Sequence, residues 1–67
     1  MYRLEKFIDG TWVPQCKTGN RAMIEKELKD YAEDYVMVFK TCDAVRIIEV
    51  ETQDTILMYP EDFHPIS

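Results

Sequence analysis

Residues 46–60 read RIIEVETQDTILMYP, and the doublet Ile47-Ile48 decides how the fold has to be covered. A strand with one buried face alternates apolar and polar side chains. This segment alternates and then places apolar residues on both faces. Taking Thr52-Gln53-Asp54 as a three-residue turn pairs Val50 with Ile56 and Ile48 with Met58, an apolar, even-numbered core face. The opposite face then carries Glu51 beside Thr55, Glu49 beside Leu57, and Ile47 beside Tyr59. That face is polar at the turn and apolar at its far end.

The first hairpin signal is YRLEKFIDGTWVPQC, two short runs around Asp9-Gly10. A two-residue loop would place Lys6 and Thr11 beside Leu4 and Val13. A three-residue loop collects Tyr2, Leu4, Ile8, Trp12 and Cys16 on one face, which separates polar from apolar better. The reading therefore favours three residues, with Gly10 at a left-handed bulge position and Phe7 and Val13 left on the outer face. Pro14 lacks a ladder donor and marks a short or edge strand.

Between the hairpins lies TGNRAMIEKELKDYAEDY, where Thr18 or Asn20 can cap a helix. Ile24, Leu28, Tyr31 and Tyr35 recur at 4-3-4 spacing as a one-sided stripe. Val36-Met37-Val38-Phe39 is β-prone, so residues 36–40 either extend the helix or form a fifth strand. The expected fold is α+β, a single domain over residues 1–67. An antiparallel sheet of two hairpins (ββαββ) carries one helix on its apolar face.

Composition narrows the function. The 67 residues are 46% apolar and 31% charged with two glycines, which suits a small folded domain. No apolar run approaches the ~20 residues of a membrane span. The charged N-terminal segment does not read as an export signal, so a cytoplasmic protein is expected. Cys16 and Cys42 read as reduced thiols, with disulfide or metal pairing as the alternative. The net charge of −5 arises entirely after residue 42, where six acids face Arg46 alone. That sign disfavours direct nucleic-acid binding.

The residues assemble no catalytic, cofactor or metal site. His64 is the only histidine, and neither cysteine stands at a spacing that would bring it there. Glu61, Asp62 and His64 lack a regular ligand frame. Glu49 and Glu51 share a strand face, where solvated glutamates are common, and no glycine-rich phosphate loop is present. What remains is the leftover apolar set on the outer face. It is either tucked under Phe63 and Ile66 of the tail or exposed as a self-association or partner surface. In the second case Ile47, Leu57, Tyr59, Phe7 and Val13 are the apolar anchors, and Glu49, Glu51 and Asp54 steer a basic partner.

The segments YRLEKFIDGTW, TGNRAMIEKEL and RIIEVETQDTIL together resemble small, mostly uncharacterised bacteriophage-encoded proteins. The resemblance covers most of the chain. It departs where Gln53 follows Thr52, a position usually held by glycine. It implies an inhibitor of host machinery or of a defence system such as CRISPR. Such proteins act by binding a protein or a signalling nucleotide. Here the acidic strip and the leftover apolar set lead to the expectation of a host protein with a basic or apolar surface and of a homo-oligomer, with no cofactor and no membrane. The alternatives are an oligomeric sponge that sequesters a nucleotide signal and a structural accessory subunit.

Overall fold

The computed structural model describes residues 1–64. Strands β1 (Tyr2–Ile8) and β2 (Thr11–Thr18) form the first hairpin. Helix α1 (Arg21–Tyr31) runs directly into a π-helical continuation, Ala32–Val38. Strands β3 (Ala44–Glu49) and β4 (Thr55–Tyr59) form the second hairpin. The sheet order is β2-β1-β3-β4, with every pair antiparallel. This is the expected ββαββ arrangement. The 36–40 alternative resolves toward helix, which reaches Val38 in place of a fifth strand.

The first hairpin turns on two residues, not three. Asp9 (φ 52°) and Gly10 (φ 80°) are both left-handed, the backbone of a turn whose twist matches its flanking strands. Phe7 therefore pairs with Trp12 and Lys6 with Val13. A bulge then opens where Leu4 pairs with Cys16 but Glu5 with Pro14, so Gln15 is the extra residue. The bulge returns Cys16 to the face of Leu4, as expected. Trp12 lies on the outer face beside Phe7 instead of in the core, and Val13 turns to the helix side.

The second hairpin corrects the other expected register. A five-residue connection, 50–54, replaces the three-residue turn, and Gln53 takes its left-handed residue (φ 64°). Gln53 N–H donates to the Glu49 carbonyl at 2.7 Å, and Glu49 N–H to that of Asp54 at 2.9 Å. Val45 pairs with Tyr59 and Ile47 with Leu57, and a bulge sets Ile48 against Thr55. Pairing across the sheet centre puts Ile47 beside Leu4 and Arg46 beside Glu5. The odd-numbered Val45 and Ile47 thus face the helix, and the even-numbered Ala44, Arg46 and Ile48 face outward.

Asn20 caps α1, its side-chain oxygen accepting from Met23 N–H at 3.0 Å. Thr18 supports that cap by accepting from Asn20 N–H at 3.1 Å. Ile24, Leu28 and Ala32, four apart, bury one helix stripe against Leu4, Val45 and Ile47, with Cys42 closing the cluster. Tyr31 and Tyr35 extend it as half-buried rings stacked edge-on at 5.1 Å. The helix ends as Phe39 N–H donates to Asp34 and Thr41 N–H to Tyr35, both at 2.8 Å, with Lys40 left-handed.

A second buried layer lies on the outer face. Phe7, Ala44 and Ile48 are buried there, together with the carboxylate of Glu5. Phe63 packs edge-on to Phe7 at 5.1 Å and to Trp12 at 6.0 Å. The tail thus covers one end of this face, while Ile66 lies outside the described residues. Glu5 is held by Arg3 at 2.9 Å and Arg46 at 2.7 Å. The doublet is buried on both sides, with Ile47 under the helix and Ile48 within this outer layer.

Candidate partner-binding groove

The covered outer face redistributes the expected anchors. Ile47 is fully buried and Phe7 is 8% exposed, so neither is available at the surface. Val13 is half-buried on the helix side. Glu49, Glu51 and Asp54 cluster near the second connection, where the Met1 amine lies 3.4 Å from Glu49 and from Glu51. Hydrogen bonding to Glu49 first, then to its own backbone, together with the charge of the amine, holds the Glu51 carboxyl below its ordinary value. Desolvation disfavours the ammonium, but Glu49 and Glu51 outweigh it and raise its pKa.

Leu57 and Tyr59 remain available, but on the helix side. They form one wall of a groove of about 560 Å³ between β4 and the helix. Leu28 and Ala32 floor it, and Met37 and Val38 of the π-helical turn form the opposite wall. Met37, Val38 and the adjoining Phe39 are 57%, 62% and 66% exposed, a run of apolar side chains that the core leaves uncovered. Glu25, Glu33 and Glu61 stand among the lining residues with Lys29 as the one basic group. The groove is therefore apolar in its walls and acidic in its balance.

Sequence reasoning placed Leu57 and Tyr59 at the partner surface but put them on the outer face, whereas both face the helix side. It missed Met37 and Val38 as surface groups. Their signal was the run VMVF itself: four successive apolar residues on one helix cannot all reach a single core.

β4 adds a second property to this surface. It bonds to β3 on one side and ends the sheet on the other. Both edge strands are bulged, β2 at Gln15 and β4 at Ile56, but β2 is further blunted by Pro14 and Lys17, whereas β4 reads TILMY without proline or charge.

The remaining chemistry is sparse. Cys16 is exposed and Cys42 buried, both as free thiols. Among the described residues no three His, Cys, Asp or Glu side chains gather at metal-binding distance, and no helix is long and apolar enough to cross a membrane. Comparison with protein-family models, curated proteins and solved structures gives no match to this chain.

Proposed function

We propose that this chain is a non-enzymatic binding protein that occludes a partner protein through the groove between β4 and the helix. The observation that carries this reading is the uncovered apolar run of Met37, Val38 and Leu57 beside acidic side chains. An apolar centre supplies affinity once desolvated, and the surrounding charge selects a basic partner and speeds encounter. The resemblance to bacteriophage products points to a host protein as the target, with inhibition by occlusion as the mode of action.

The test compares affinity capture from bacterial lysate by the wild-type chain and by Leu57→Asp and Val38→Asp. Both positions are exposed, so folding, checked by circular dichroism, should survive. A protein retained by the wild type and lost by both variants supports the groove. A captured protein that both variants retain equally sinks it.

A further inference from the structure

The occupant of this groove can be specified further, on the footing of the binding function proposed above. We propose that the partner contributes an extended segment that joins the sheet beside β4 as an added strand. Its apolar side chains alternate, and lysine or arginine flanks it at both ends.

Three observations converge. The first is the asymmetry of the two edges. Both edge strands carry a bulge, but β2 also carries a proline and a lysine that discourage strand addition, and β4 carries neither. Among the described residues, positions 57–59 therefore present backbone groups with no strand beside them. The second is the position of the groove. Leu57 and Tyr59 of β4 form its wall, so a strand laid about 4.8 Å beyond β4 projects every second side chain toward Met37 and Val38. Backbone pairing and apolar burial are then satisfied by the same segment.

The third is charge. Glu51 and Asp54 precede β4, Glu61 and Asp62 follow it, and no lysine or arginine occurs after Arg46. A second copy laid antiparallel on β4 would bring the Asp54 end of each chain to the Glu61 end of the other. Like charges at both ends oppose that pairing. A segment with basic ends meets complementary charge at both.

The experiment uses the full chain and three acetylated, amidated nonapeptides. One alternates valine and threonine between paired lysines, the second replaces the lysines by glutamates, and the third places proline at the centre of the first. Amide hydrogen exchange is followed by nuclear magnetic resonance. At free peptide near ten times its Kd, exchange within Thr55–Tyr59 should slow about tenfold with the lysine peptide. It should be unchanged with the other two, and the protection should weaken as salt is raised. Resonance shifts at Val38 and Leu57 without protection of β4 amides overturn strand addition and leave the groove reading standing. Equal protection by the glutamate peptide overturns the basic partner. No response to any peptide overturns the inference, while the groove itself is judged by the Leu57→Asp capture. Protection of β4 in the free chain that rises with protein concentration, with a dimeric mass, assigns the edge to a second copy and also overturns it.

Discussion

Glu5 on β1 accepts from Arg46 on β3, its carboxylate oxygen 2.8 Å from Nε and 2.7 Å from a terminal guanidinium nitrogen. The two residues are direct cross-strand partners at the centre of the sheet, where the first hairpin meets the second. Arg3 holds the other oxygen of the same carboxylate at 2.9 Å. The Arg46 guanidinium also lies 4.1 Å from the centre of the Trp12 ring. One ion cluster and one aromatic group therefore finish the face that the helix does not cover, and the uncovered apolar run of Met37 and Val38 lies elsewhere.

Glu5→Gln should destabilise the fold by about 2–3 kcal/mol, because two guanidinium groups lose their counter-charge. Arg3 and Arg46 keep 28% and 24% exposure, and water reaching them holds the cost below that of a fully buried pair. Urea unfolding measures the loss. Trp12 fluorescence supplies the specific signature, since Arg46 is no longer fixed over the indole. A stability change under 0.5 kcal/mol or so would make the cluster incidental.

Lys6 lies two residues from Leu4 on β1 and therefore faces the helix whatever the turn length, against the separation of polar from apolar residues. Its ammonium lies 3.8 Å from the Tyr35 ring centre and 5.5 Å from that of Tyr31. The aromatic faces hold the charge there. Lys6→Met keeps the stem and removes the charge, and should cost about 0.5–1 kcal/mol in thermal unfolding. Tyr35→Leu should remove the same contribution, and the double variant should then cost less than the sum of the two. Strict additivity would argue against the contact.

These two contacts also mark how far the sequence could be read. Element order, the Asn20 cap and the Ile24–Leu28 stripe were legible because local periodicity and capping chemistry specify them. Strand facing was not, because it depends on turn length and bulges, and one residue of slip exchanges the two faces. Trp12 reads as core from polarity alone, yet the two-residue turn places it on the outer face, where Arg46, distant in sequence, receives its ring. The groove was hidden for the same reason, since it needs both the facing of β4 and the helical course of residues 36–38.

Ile47 and Leu57 are direct partners across β3 and β4, yet should behave oppositely. Ile47 is fully buried, so Ile47→Ala should cost about 2–5 kcal/mol and risk unfolding so small a domain. Leu57 is 38% exposed, and Leu57→Ala should cost less than about 1 kcal/mol while weakening partner capture. Chemical denaturation of both variants checks the ranking. Equal costs would mean that the groove wall is part of the core.

The two thiols give a pH test of the same packing. Burial raises the Cys42 pKa above its ordinary value of 9.0 against the opposing charge of Lys6, and Asp43 adds to the rise. For Cys16, desolvation and then Glu27 act in the same direction. A thiol whose pKa rises on folding keeps its proton to higher pH in the folded chain than in the unfolded one. Its contribution to stability is therefore complete below the unfolded value and is lost as pH climbs through the folded one. Thermal unfolding between about pH 8 and pH 10.5 should show a decline that Cys42→Ala reduces relative to its own neutral-pH stability. Iodoacetamide at neutral pH should label exposed Cys16 more slowly than a free thiol, and Cys42 only as fast as the chain opens. Rapid labelling of both, with an unaltered alkaline profile in Cys42→Ala, would mean that Cys42 does not close the core beneath the helix.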